Sequence, residues 1–280
     1  FNLYKKIPEY QLLNSSMTLD EFKIIFWWEY IHRLLGRIVG LVYIIPLIYF
    51  TIKKKITITN LLILYFIFFL ICLQGFIGWY MVSSGLTERT DVSHYRLSLH
   101  LTLAFVIFIL LVWNYLKITI NYKNNHLSQI PFYLPAFFLI FILLQISIGA
   151  LVSGLNAGEI YQSWPLMNQN YFPDDSNIKD LFGLNVFENP SLIQFIHRNL
   201  AYLIFLIFII MLIIVFKNKN LFYFKKNIII LFAALLLQIL LGILTILSGA
   251  QIILASLHQI GSIFLITASL ILVFKNSKIN

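Results

Sequence analysis

Histidine is the residue whose placement in this chain first suggests chemistry. Six are present. His94 and His126 read as solvated loop residues and are given no role. The other four, His32, His100, His197 and His258, each stand at the mouth of a long apolar run. Two of them sit in related phrases, "EYIHRLLGR" at 29–37 and "QFIHRNLAY" at 194–202. From each histidine to the far end of its run is 16–19 residues. At the helical rise of roughly 1.5 Å per residue, the four rings lie about 24–29 Å from that boundary. Imidazoles at one depth, two in each half of the chain, suit six-coordinate haem iron. Two histidines on facing helices supply the axial nitrogens and the porphyrin supplies the rest. Zinc would want a third or fourth protein ligand in each half, and none is spaced to provide it. One turn beyond each histidine stands a small residue, Gly36, Ala104, Ala201 or Ser262, leaving room for a flat macrocycle.

The charged neighbours extend the pattern. Arg33 and Arg198 directly follow two of the histidines, and Arg37 comes a turn later. A guanidinium matches a carboxylate fork, so haem propionates are candidate partners for all three. The plainer alternative is that these arginines snorkel to the membrane interface or set topology. Glu29 lies three residues before His32 and shares its helix face. In the second half the matching position is Gln194, which cannot ionise. A carboxylate beside one iron could move protons or position water. As an ordinary first-turn glutamate it would only favour the helix N-terminus.

The elements that position these residues are membrane helices. Hydrophobic residues make up 60% of the 280 and charged residues 11%, against roughly 25% charged in a soluble domain. Apolar runs of about 20 residues, enough to span a bilayer, occur near 27–50, 60–84, 97–116, 132–154, 195–216, 228–249 and 253–274. They lack the alternation of barrel strands, so helices satisfy their backbones. Segments 51–59, 117–131, 217–227 and 275–280 carry lysines and no acidic residue, whereas the Asp and Glu residues lie at the opposite helix ends. The positive-inside rule places the lysine ends in the cytoplasm or matrix. That distribution accounts for the net charge of +9 without nucleic acid. The loop 155–194 faces outward on this reading and is long enough to fold into a lid. Cys72, the single cysteine, is expected to be a buried structural thiol.

An internal repeat runs through the chain. Three helices end in "QGFIGWYMVSSGL" (74–86), "QISIGALVSGL" (145–155) and "QILLGILTILSGA" (238–250). Each phrase has Gln, a glycine four residues later, and Ser-Gly at the end; small residues at that spacing read first as close helix packing. Aligning the halves pairs His32 with His197 and His100 with His258. It also leaves a counterpart of 132–154 to be expected before Phe1, where the chain starts without methionine as a fragment or processed product. The expected fold is an all-α integral membrane protein with seven transmembrane helices of an inferred eight, in two pseudo-repeated four-helix bundles. The N-terminal half covers 1–120 and the C-terminal half 127–280.

The stretches "PEYQLLNSSMTLDEFKIIFWWEYIHRLLGR", "GWYMVSSGL", "VSHYRLSLHL", "YQSWPLMNQNYFP" and "QFIHRNLAY" resemble the haem A synthase family, in its mitochondrial and proteobacterial branch. The resemblance implies eight helices in two related halves, with haem b in the C-terminal half and the substrate haem O in the N-terminal half. It implies oxidation of one porphyrin methyl group, on ring D of haem O, to a formyl group by successive hydroxylations. The product, haem A, serves cytochrome oxidase, and the electrons leave through haem b to an unidentified acceptor. Carried over by motif, His32 and His100 bracket haem O, His197 and His258 ligate haem b, and Glu29 in "E-x-x-H" is the catalytic acid or base. The farnesyltransferase that makes haem O is a partner by pathway. The location implied is a bacterial or mitochondrial inner membrane, with the histidine layer toward the periplasm or intermembrane space. Some bacterial members carry a cysteine pair in the outer loops; with Cys72 alone, this chain has no thiol-based electron step. A dihaem electron-transfer cytochrome is the alternative, separated by the Glu29/Gln194 difference. A transporter would show helices broken near the midplane.

Overall fold

Local sequence signals start the helices of this protein well before its apolar runs do. The computed structural model describes residues 1–85, 91–120, 128–131 and 133–277. A short helix α1 (Pro8–Leu12) precedes α2 (Leu19–Ile52), α3 (Ile58–Gly85), α4 (His94–Thr119), α5 (Leu134–Gly154), α6 (Pro190–Lys217), α7 (Lys225–Leu247) and α8 (Ile252–Ser277). Seven of these are long and apolar enough to cross a membrane, and no strand occurs among the described residues. The protein is therefore an all-α integral membrane protein.

Helix α2 begins at Leu19 rather than at 27 because Thr18 caps it. Thr18 N–H donates to Glu21 Oε2 (2.8 Å) and Glu21 N–H donates to Thr18 Oγ1 (3.4 Å), a reciprocal capping box. Its first-turn acids are Asp20 and Glu21. Glu29 thus lies well inside the helix, and the first-turn reading of that residue is overturned. Helix α6 likewise starts early, at Pro190, with Asn189 Oδ1 accepting from Leu192 N–H at 3.1 Å.

The chain divides into two compact units, Phe1–Ile107 and Phe108–Asn280. In the first, α2 packs on α3: Tyr43 donates to the Leu64 carbonyl (3.1 Å) and stacks on Phe68. Apolar side chains such as Leu41, Val42 and Ile45 stay exposed, as a lipid-facing surface requires. Cys72 is exposed as well, contrary to expectation. In a membrane helix the outward face is as apolar as the inward one, so an apolar run does not mark burial. His94 also departs from its loop assignment. It opens α4, is buried, and packs against Tyr95 with ring centroids 4.1 Å apart. His126 lies outside the described residues.

In the second unit, α5 packs on α6, α6 on α7, α7 on α8 and α8 on α5, closing a four-helix ring. Phe208 stacks on Phe232 and touches Phe138, while Leu192, Met211, Leu231 and Ile266 fill the interior. The loop between Gly154 and Pro190 folds through short 3-10 turns at Ala157–Glu159, Ile178–Phe182 and Leu184–Glu188. It buries Ala157, Tyr161 and Met167.

Candidate functional site

His197 and His258 stand on α6 and α8, opposite corners of the four-helix ring, so both can enter its interior. Each is seated by the neighbouring helix in the same way. Gln145 of α5 donates from Nε2 to the His197 carbonyl oxygen (2.9 Å), and that nitrogen also lies 3.2 Å from His197 Nε2. Gln238 of α7 donates from Nε2 to the His258 carbonyl oxygen (2.7 Å) and lies 3.2 Å from His258 Nδ1. One turn on, Gly149 and Gly242 meet the rings. A Cβ on either would lie 3.0 Å from the Cε1 of His197 or His258. The two imidazoles are near enough for a charge on one to be felt by the other.

A second layer straps the long loop over this end of the ring. Gln194 and Arg198 both donate to the Tyr161 carbonyl, each at 3.0 Å. Arg198 Nη1 also donates to the carbonyls of Ser163 (2.9 Å) and Leu166 (3.2 Å). Arg198, offered from sequence as a propionate contact, thus spends three hydrogen bonds on the loop, and its Nε remains unpartnered. Within the loop, Tyr161 donates to Asp174, and Ser191 donates to Asp175 Oδ2 at 2.6 Å. Burial and the bond to Asp174 push the Tyr161 phenol up to about 12. Partial burial works to raise Asp175, but hydrogen bonds from Ser191, Ser176 and Tyr161 outweigh it and hold the carboxyl low.

The first unit repeats half of the arrangement. Gln74 of α3 donates from Nε2 to the His100 carbonyl oxygen at 3.0 Å, and a Cβ on Gly78 would lie 2.9 Å from His100 Cε1. His32 is within electrostatic reach of His100. No glycine among the described residues seats His32. Glu29 and Arg33, one turn apart on α2, form an ion pair, with both side chains about half exposed. Arg37 is exposed a turn further on.

The residues in the second unit fit a haem. Two imidazoles stand at opposite corners of the ring, Ala201 and Ser262 lie one turn beyond them, and His197 Nδ1 is buried with no hydrogen-bond partner. No group of three His, Cys, Asp or Glu among the described residues could hold a bare metal ion. Sequence reasoning took the Gln–Gly phrases for helix packing and missed them as histidine seats. The signal was there: the one-turn spacing recurs in the helix beside each of three histidines.

Together the fold and site define a class: an all-α integral membrane protein that presents histidine pairs from long apolar helices. The chain belongs to the cytochrome oxidase assembly protein family (COX15-CtaA), whose family model matches residues 1–270. It is 50% identical to the "Heme A synthase" of Pelagibacter ubique (strain HTCC1062), covering 99% of this chain and 81% of that protein. The protein of the same name from Rhizobium etli (strain ATCC 51251) is 42% identical over 94% of this chain and 72% of its own length. That of Wolbachia pipientis wMel is 40% identical over 95% and 75%.

Proposed function

We propose that this protein is a haem A synthase, oxidising a methyl group of haem O to the formyl group of haem A for cytochrome oxidase. The observation that carries this reading, beside the likeness to proteins of that name, is the difference between two matching helix sites. Glu29 and Arg33 pair with each other on α2, whereas Gln194 and Arg198 on α6 are both committed to the loop carbonyl of Tyr161. A protein that only relayed electrons would gain nothing from an ionisable group at one site alone.

Residues 1–120 form the substrate half on this reading and 127–280 the haem b half. His197 and His258 would hold haem b, which when bound would supply electron transfer to a separate acceptor. His32 and His100 bracket the reacting haem O. Glu29, on the same face as His32, moves protons at the substrate methyl, and Arg33 keeps the carboxylate oriented. Arg37 and Arg33 are the exposed cations available to substrate propionates, and Arg198 offers its Nε on the haem b side. On this reading the histidine ends and the long loop face the periplasm or intermembrane space of an inner membrane, an orientation the lysine distribution supports through the positive-inside rule. The farnesyltransferase that supplies haem O is the partner the substrate calls for.

Chromatographic identification of the haems extracted from protein purified from cells that make haem O tests the proposal. Haem A, or a hydroxylated haem O, beside haem B supports it. Haem B alone despite available haem O would overturn it in favour of an electron-transfer cytochrome.

A further inference from the structure

At the end away from its histidines, the second unit gathers lysines whose charge nothing nearby in the chain answers. We propose that the start of α7 and the end of α8 form a site for one anionic phospholipid, its phosphate held between Lys226 and Lys275 and its acyl chains lying along α7. No step of the haem chemistry enters this inference, so it stands apart from the proposed function.

Three observations support it. First, Lys275 is held in place. Its Nζ donates to Asn227 Oδ1 of α7 (3.0 Å) and lies 5.3 Å from the centroid of the Tyr223 ring. The next residue, Asn276, pins this end of α8: it accepts from Ile130 N–H (2.7 Å) and donates to the Ile130 carbonyl (3.3 Å). An ammonium carries three N–H donors, and the Asn227 bond uses one. Second, Lys226 comes near enough for its charge to bear on Lys275, and like charges repel. Lys225 is turned onto another ring, that of Phe216, at 5.3 Å. None of these three lysines forms an ion pair among the described residues, and neither 217–227 nor 275–280 contains an Asp or Glu. Third, α7 begins here without a side-chain cap and with no acid in its first turn, so the positive end of its dipole also faces the cluster. A 3-10 turn, Lys219–Phe224, leads into that helix start and is anchored by buried Leu221 and Phe224.

A phosphate between Lys226 and Lys275 would offset their repulsion and accept the remaining N–H groups. The surface beside the cluster makes the anion a lipid rather than a free phosphate. Lys226 heads a stripe of exposed apolar side chains, Ile230, Leu237 and Leu244, on the same face of α7. That stripe runs from the lysine layer into the apolar core, where acyl chains lie beneath a headgroup. Basic pockets between transmembrane helices hold phospholipid headgroups by this combination. The positive-inside rule asks only for lysines somewhere in these segments. It does not account for a lysine fixed on Asn227 and Tyr223 beside a second cation from another helix.

The test takes the full protein, delipidated in a neutral detergent, and follows its thermal midpoint as phosphatidylglycerol, phosphatidylcholine or inorganic phosphate is added. Phosphatidylglycerol is expected to raise the midpoint at concentrations several-fold below those phosphatidylcholine needs, and phosphate at those concentrations to leave it unmoved. Lys226→Gln and Lys275→Gln should each weaken the phosphatidylglycerol effect about five-fold, the attraction one lysine contributes at an anionic surface. Lys53→Gln, the same charge change at the end of α2, should not weaken it. Lys226 is exposed, so its variant carries the comparison even where Lys275→Gln fails to fold. Equal effects of the two lipids, or an equal loss in Lys53→Gln, would reduce the cluster to bulk positive charge and overturn the proposal. Protection by inorganic phosphate alone would overturn the lipid assignment.

Discussion

A single methyl group is the sharpest probe of the histidine seats. Gly149→Ala and Gly242→Ala would each bring a Cβ to 3.0 Å from an imidazole carbon, closer than ordinary contact, and the ring must give way. We expect either substitution to cut haem b content several-fold, measured as haem per protein after purification. Gly36→Ala, with nothing within 4 Å, should leave the protein chain undisturbed. Glu29 gives a prediction of a different kind. Its ion pair with Arg33 is half exposed, and such pairs contribute only about 0.2–1 kcal/mol, so stability does not explain it. Glu29→Gln should therefore change the thermal midpoint little while abolishing haem A formation in extracted haem. Unchanged haem A would remove Glu29 from the chemistry.

At the scale of elements, the strap between α6 and the long loop is the most consequential. The Arg198 guanidinium is buried and makes three hydrogen bonds to loop carbonyls. Hydrogen bonds involving charged groups contribute about 1.5–3 kcal/mol each, and removing the donor leaves buried carbonyls unsatisfied. Arg198→Leu should thus expose residues 155–189 to limited proteolysis while α6 and α7 stay protected. The same loop carries a pH dependence whose sign follows from its titrating groups. Asp175 is held low in the folded loop, so its contribution is fully present above the ordinary carboxylate range and is lost as pH falls through the folded value. Tyr161 is held at about 12, so its contribution is present below about 10, the usual tyrosine value, and is lost as pH rises toward 12. Protease resistance of the loop should be greatest between these limits. Asp175→Asn should remove the acid-side loss, which a comparison of cleavage rates at successive pH values would reveal.

For the whole molecule, the proposed function assigns the two units separable roles. His197 and His258 belong to one unit, His32 and His100 to the other. His197→Ala is expected to empty the haem b site, whereas His32→Ala should leave haem b bound and block only its companion reaction. Reduced-minus-oxidised spectra of the purified variants check this directly. Equal loss of haem b from both would show that the units do not hold their haems independently.

Much of this was legible before any coordinates. Long apolar runs with lysines at one end can only be membrane helices, because lipid leaves a backbone no other partners than its own. The recurrence of His32, His100, His197 and His258 at helix mouths marked the candidate sites, because helical rise converts spacing into depth. What spacing cannot convey is which way a side chain turns and what it meets there. Lipid-facing and inward-facing positions are equally apolar, so Cys72 could be taken for a buried residue, and the polar first turns of α2, capped by Thr18, lay outside its apolar run. Gln145, Gln238 and their glycines could be taken for packing, because the atoms they serve come from helices distant in sequence. Only tertiary contact revealed that Arg198 and Gln194 grip the Tyr161 carbonyl while their counterparts Arg33 and Glu29 grip each other: the same helix positions acquire different partners when a loop from elsewhere in the chain folds over one of them.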